Sequence, residues 1–270
     1  MREYQKYPAM SSTMLRVLAD SPLTYHRMVT GQLRREPTEA MEFGTAAHSV
    51  ILEGKLDSFY ISPAKCADGS EWSGRKSECK VWVEAHGDRP IISAEQAAQL
   101  SETARYIREH HQAGKLCIGA TPEVSVIIGG EKARCDLLRL DGDHATIIDL
   151  KTTVSARTAD FQREILNREY YVQAAWYRRV LKAAGAATVR FIFLALQKGQ
   201  LPLVNVLELS TAAMDLGDAK IKLALDLGDK CKANQYWPEW ADFDGSNEIK
   251  TVDVPERAYP EPELTGSDDA

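Results

Sequence analysis

The run Ala145-Thr146-Ile147-Ile148-Asp149-Leu150-Lys151-Thr152-Thr153 constrains this chain more than any other. Apolar and β-branched residues lead into Asp149, and Leu150 separates that acid from Lys151, a pattern that predicts a buried strand. Alternate side chains of a strand share a face, so Asp149 and Lys151 point one way and Leu150 points into the opposite layer. A carboxylate and an ammonium side by side at the end of a buried strand are expensive to desolvate. A site for a divalent cation and a phosphate would justify that cost.

The residues upstream extend the pattern. Arg134 to Leu140 reads as a second strand, and Asp141-Gly142 is a hairpin turn signal. A two-residue loop pairs Leu140 with Asp143 and leaves Asp136 diagonal to Asp149. A four-residue loop pairs Leu140 with Ala145 and sets Asp136 directly opposite Asp149. Either even-length loop predicts Asp136, Asp149 and Lys151 on one face of the sheet. Carboxylates that close repel each other unless a cation lies between them.

Composition leaves this reading open. The 270 residues suffice for a full core, and 44% hydrophobic with 27% charged residues is ordinary for a globular protein. A net charge of −6 argues against a protein that coats nucleic acid through bulk charge, but not against a local basic groove. No apolar run approaches membrane-spanning length and Met1 to Lys6 has no signal-peptide character, so a cytoplasmic protein is expected, in a bacterium or a phage-infected host. The five cysteines form no CxxC pair, which predicts reduced thiols and neither a zinc ribbon nor an iron–sulfur site. Gly129-Gly130-Glu131-Lys132 lacks P-loop spacing and reads as a turn.

The rest supplies helices and outer strands: an α/β (α+β) chain with a central mixed sheet, an antiparallel hairpin and flanking helices. A helical N-terminal part (11–115) opens with helices capped by Ser11 or Ser12 and by Ser21-Pro22. A helix over 41–54 carries His48 among Gly44, Ala46 and Ala47; taken alone, His48 reads as a hydrogen-bonded core residue. Ser93 and Gln96 form a capping-box pair ahead of a helix to about Gln112. The sheet core spans 122–209, with Glu123 at the start of its first strand, a polar crossover from Val154 to Arg168, and a helix from Tyr170 to Ala184. That helix places Gln173 and Tyr177 on one face. A helix from Thr211 to about Leu227 closes the domain (210–255), and residues 256–270 read as a frayed acidic tail. The basic or aromatic residues Arg34, Arg35, Trp72, Arg75, Lys76, Arg157, Arg178 and Arg179 are candidates for contact with a nucleic-acid backbone.

Glu123, Asp136, Asp149-Leu150-Lys151 and Gln173-Ala174-Ala175-Trp176-Tyr177 together resemble the PD-(D/E)xK nuclease superfamily. More closely, Gly44-Thr45-Ala46-Ala47-His48, Ile148 to Thr153, Tyr171-Val172-Gln173 and Tyr236-Trp237-Pro238 resemble the nuclease domain of the RecE (exonuclease VIII) family of phage and prophage recombination exonucleases. The likeness runs from about Ser11 to Pro255, as a single nuclease domain over residues 1–255. Asp136-Leu137 stands where the superfamily's name has Pro-Asp.

The resemblance implies Mg²⁺-dependent 5′-to-3′ digestion of linear double-stranded DNA, with Mn²⁺ able to substitute and one or two ions per site. It implies 3′ single strands handed to an annealing protein of the RecT type, and a homo-oligomeric ring, trimeric or tetrameric, that threads DNA. His48, Asp136 and Asp149 would then be metal ligands, helped by the Leu150 carbonyl. Lys151 would orient water or stabilise charge on the phosphate, and Gln173 and Tyr177 would place the scissile strand or the water, with Glu123 joining the acidic cluster. Two other functions fit the same residues: an endonuclease of the superfamily, and an inactive DNA-binding scaffold.

Overall fold

Serine side chains start the first helices. α1 (Ser12–Asp20) begins at Ser11, whose hydroxyl accepts from the Met14 N–H at 3.3 Å, and α2 (Pro22–Val29) begins at Ser21 with Pro22 in its first turn. Both caps serve amides that helix geometry leaves without partners. The structure, a computed structural model, describes residues 4, 7–33, 38–55, 57–73, 75–87, 89–199, 203–240 and 251. α3 (Glu39–Leu52) follows; its small residues Ala46 and Ala47 pack against Leu100 and Ala104 of α5 (Ala94–Glu109), which opens on the full Ser93–Gln96 capping box. Between them in the chain, β1 (Tyr60–Ile61) pairs in parallel with β2 (Ile91–Ile92), and α4 (Ser77–His86) lies in the intervening segment. α6 (Ala113–Cys117) leads into the main sheet.

That sheet has the order β3 (Thr121–Ile128), β4 (Glu131–Asp141), β5 (His144–Thr153), β6 (Thr188–Gln197), β7 (Leu203–Glu208). Only the β5–β6 pair is parallel. The β3–β4 turn uses Gly129 and Gly130 at φ of 57° and 80°, the left-handed conformations a tight hairpin needs. In the next hairpin Leu140 pairs with Ala145 and Asp141 with His144, so the turn residues are Gly142 and Asp143. Of the two registers the sequence allows, this is the one that brings Asp136 level with Asp149.

Both faces of the sheet are covered, which is why Ile147 and Ile148 are consecutive rather than alternating with polar residues. On one face lies α8 (Tyr170–Ala183), whose fully buried Trp176 donates its indole N–H to the Lys132 carbonyl at 2.9 Å. α9 (Thr211–Asn234) lies on α8 through Gly217; a Cβ there would sit 2.5 Å from the Tyr171 carbonyl oxygen, so only glycine permits this approach. On the other face Leu137, Ile148, Leu150, Leu194 and Leu196 pack with Ile107 of α5, Ala113 of α6 and Ile51 of α3.

Two segments differ from the sequence reading. The crossover from Val154 to Arg168 contains α7 (Thr158–Asn167), a short amphipathic helix that buries Phe161 in the core and packs Ile165, one turn on, against it. α9 runs on to Asn234 rather than ending near Leu227, with Gly228 packed against Leu18 of α1. The cysteines of the described residues are free thiols. Arg34, Arg35 and residues 256–270 lie outside the described residues.

Candidate active site

Three neighbouring strands carry one acidic residue each at a common level. The pairs Pro122–Leu137 and Val124–Cys135 set Glu123 opposite Asp136, and the pair Leu137–Ile148 sets Asp136 beside Asp149. Regular pairing between β4 and β5 ends there, because the Leu150 N–H donates to the Asp136 carboxylate (Oδ2, 2.8 Å) instead of to a backbone carbonyl. Simple alternation also breaks on β4: Cys135 packs on the α8 side, whereas Leu137, two residues on, packs on the α5–α6 side. Glu123 has φ of 56°, a left-handed conformation that costs a non-glycine residue on the order of 1–3 kcal/mol. Asp136 is therefore delivered by irregular backbone rather than by the unbroken alternation the sequence suggests; such irregularities re-aim side chains beside active sites.

Helices complete the cluster. α3 directs His48 Nδ1 to within 3.4 Å of Asp136 Oδ1 and 3.8 Å of Glu123 Oε1. From α8, Gln173 Nε2 donates to Asp149 Oδ1 at 3.1 Å. Lys151 forms an ion pair with Asp149 Oδ2, and its ammonium lies 4.9 Å from the centre of the Tyr170 ring. Arg134 pairs with the outer oxygen of Glu123. The sequence reading has Arg134 and Tyr170 only as the starts of a strand and a helix, not as site residues; Tyr170 stands one helical turn before Gln173, and that spacing is the signal that could have found it.

Burial and charge together set the protonation of the cluster. Burial would lower the His48 pKa, but the charge of Asp136 and the hydrogen bond to Glu123 outweigh it and push it up to about 9. Asp136 goes up to about 6, raised by burial and by Asp149, with His48 opposing. Burial disfavours the charged Lys151, yet Asp149 and Asp136 hold its pKa above the ordinary lysine value. Tyr177 is buried on the α8 face below the cluster; burial, reinforced by the charges of Asp149 and Asp136, holds its phenol protonated.

His48, Glu123 and Asp136 can hold a metal ion, since one ligand atom from each lies within 4.8 Å of the others. Two carboxylates with one imidazole suit a hard divalent cation such as Mg²⁺ or Mn²⁺. Asp149 adds a fully buried carboxylate beside them, one oxygen ion-paired with Lys151 and the other accepting from Gln173. The N–H and C=O of one strand residue point toward the same neighbour, so the Leu150 carbonyl is directed to the side of Asp136. The donor set therefore fits the ion.

The raised His48 pKa has a measurable consequence. Without metal, His48 keeps its proton at neutral pH; its favourable contacts are fully present below the unfolded value near 6.5 and are lost as pH rises through about 9. A metal must displace that proton. Calorimetric titration with Mn²⁺ at pH 7.5, in buffers of different ionisation enthalpy, is expected to show release of about one proton per site, with affinity rising toward pH 9. Proton-neutral binding would remove His48 from the ligand set.

A family model described as a PDDEXK-like domain of unknown function matches residues 11–243. The chain belongs to that family. A search of curated proteins finds no match. Among solved structures, a candidate exonuclease from Eubacterium rectale is 14% identical with a TM-score of 0.62, over 93% of this chain and 92% of that one. A phage-related exonuclease from Haemophilus somnus is 11% identical with a TM-score of 0.34, over 71% and 94%. The Eubacterium rectale structure shares its fold with this chain over nearly the whole length of both.

The predicted nucleic-acid contacts of this PDDEXK-like domain fare unevenly. Arg75 and Arg157 are exposed. Lys76 turns inward to Ser70 and the Glu71 carbonyl, and Trp72 packs edge-on against Trp82 with ring centres 5.4 Å apart. Arg179 is tied to Glu131. Arg178 must be withdrawn as a contact: it is buried and forms ion pairs with Asp215 at 2.8 Å and Asp218 at 2.7 Å, binding α8 to α9. Arg178→Ala is expected to cost on the order of 2 kcal/mol in a urea unfolding experiment and to leave DNA affinity unchanged. Among the described residues, no helix is long and apolar enough to cross a membrane.

Proposed function

We propose that this PDDEXK-like domain is a metal-dependent nuclease, and specifically a Mg²⁺-dependent 5′-to-3′ exonuclease of the RecE type acting on linear double-stranded DNA. The observation that carries the reading is the meeting of Glu123, Asp136, Asp149, Lys151, His48 and Gln173, from three strands and two helices, at one point of the sheet. When bound, a divalent cation supplies charge neutralisation at the phosphate and a water acidic enough to attack at neutral pH. His48, Glu123 and Asp136, with Asp149 and the Leu150 carbonyl beside them, would hold it. The Leu150 N–H fixes the Asp136 carboxylate and Gln173 fixes Asp149, so the oxygens are oriented before substrate arrives. Lys151, kept charged by its neighbours, donates hydrogen bonds to the non-bridging phosphate oxygen or to the attacking water.

The same reading places the protein in the cytoplasm of a bacterium or phage-infected cell, as a trimeric or tetrameric ring that passes 3′ single strands to an annealing protein of the RecT type. Incubation with 5′-labelled linear duplex and with closed circular duplex, in Mg²⁺ with and without chelator, tests it. Release of 5′ mononucleotides from the linear DNA alone, abolished by chelator, is the expected result. Nicking of the circle would identify an endonuclease, and binding without cleavage a scaffold.

A further inference from the structure

At the carboxyl ends of the two parallel strands, β5 and β6 leave two residues side by side. Thr153 pairs with Gln197, and the Lys198 N–H donates to the Thr153 carbonyl at 2.9 Å, so Val154 and Lys198 are the next residues out on each strand. Val154 is 87% exposed, the highest value among the exposed large apolar residues described. It is not on a loose loop. Thr153 on one side and Ala156 on the other are buried. The Thr153 hydroxyl donates to the Ser155 carbonyl at 3.1 Å, the Ser155 hydroxyl to Asp160 at 2.7 Å, and Asn205 donates to the Ala156 carbonyl at 2.8 Å. The chain holds an apolar knob firmly in solvent, three residues beyond Lys151.

Lys198 is also exposed and has no carboxylate within ion-pair distance among the described residues. Its ammonium lies instead 5.8 Å from the centre of the Phe43 ring, on the helix that carries His48 one and a half turns later. Ligands of open α/β sheets bind outside the carboxyl ends of parallel strands, the end of the sheet at which Val154 and Lys198 stand. An exposed ammonium, an aromatic ring and a rigid aliphatic knob beside the proposed phosphate-cleaving centre fit a polyanion that also presents sugar and base surface.

We propose that Val154 and Lys198 form the lip over which the DNA strand enters the site, Lys198 contacting a backbone phosphate and Val154 packing against the sugar–base surface beside it. The proposal rests on the nuclease reading for the identity of the strand. Both would bind the strand directly, and neither is among the candidate metal ligands.

Binding is measured in chelator, where no cleavage occurs, by fluorescence anisotropy of a labelled linear duplex across a series of KCl concentrations, using the full chain. Lys198→Ala is expected to weaken binding about fivefold to tenfold at 0.1 M salt and to reduce the slope of log K against log[salt] by about one phosphate's worth, with Lys198→Arg restoring both. Val154→Asp, a substitution at a site exposed enough not to disturb the core, is expected to weaken binding by a similar factor by putting a carboxylate against the phosphates. In Mg²⁺ the two losses appear in KM more than in kcat. Unchanged affinity and slope in both variants, with wild-type binding intact, overturns the lip. Loss of slope in Lys198→Ala together with an inactive wild-type protein keeps the lip and overturns the nuclease reading. A fall in kcat at constant KM assigns the residues to folding of the site and also overturns it.

Discussion

Lys151→Ala is expected to end the release of 5′ mononucleotides from linear duplex, with kcat/KM falling on the order of 10³-fold or more. The lysine sits between the Asp149 carboxylate and the Tyr170 ring, at the edge of the candidate metal site. Its side chain is 15% exposed and that of Asp149 0%, so removing the ammonium also strands a buried carboxylate, which costs about 3–5 kcal/mol in such pairs. A loss of activity in the alanine variant alone would thus be ambiguous. Lys151→Met keeps the aliphatic stem beside Tyr170 but strands the same carboxylate, so its thermal midpoint is measured and the assay run well below it; the same loss of cleavage is then expected. Mn²⁺ should still raise the midpoint of this variant, since the oxygens remain. Cleavage within tenfold of wild type in Lys151→Met would refute a chemical role for the ammonium.

The parts of this site that were legible in the sequence are those governed by local rules. Asp149 and Lys151 share a face because a strand repeats every two residues, and the Ser93–Gln96 cap forms because both partners lie within one turn. The hairpin register was legible only as a pair of alternatives, because both even loops satisfy the same alternation; the turn closing at Gly142-Asp143 decides it. What brings Glu123 in was not legible. A glutamate at positive φ contradicts its own backbone preference, and only the surrounding sheet, with Arg134 and His48 on either side of its carboxylate, makes that conformation tenable. Arg178 failed as a predicted contact for a related reason. Its partners Asp215 and Asp218 stand on another helix, and no pattern local to α8 announces them.

Asp136 separates metal binding from folding, because its two carboxylate oxygens do different things. Oδ2 accepts the Leu150 N–H at 2.8 Å, while Oδ1 faces His48 at 3.4 Å on the candidate metal side. Asp136→Asn keeps an oxygen for the amide and removes the charge; Asp136→Ala removes both. In the wild-type protein, Mn²⁺ at about 100 times its dissociation constant adds about 2.7 kcal/mol of stability, which for a chain of this size raises the thermal midpoint by roughly 5–10 °C. In Asp136→Asn the midpoint without metal is expected not to fall below that of wild type, and the metal-induced rise is expected to vanish together with cleavage. Asp136→Ala should lose the rise and also about 1–3 kcal/mol of metal-free stability, because the buried Leu150 amide is left without an acceptor. The sign of the pH dependence follows from the same group. Burial raises Asp136 to about 6, so the folded metal-free protein binds its proton more tightly than the unfolded chain does, and that contribution to stability, present at acid pH, is lost as pH rises through about 6. Asp136→Asn removes this loss, and the gap between variant and wild type in metal-free stability should widen in the variant's favour between pH 5 and 7. A metal-induced rise that survives in Asp136→Asn would move the ion away from β4 and leave Asp136 with a purely structural role at the break in the strand pairing.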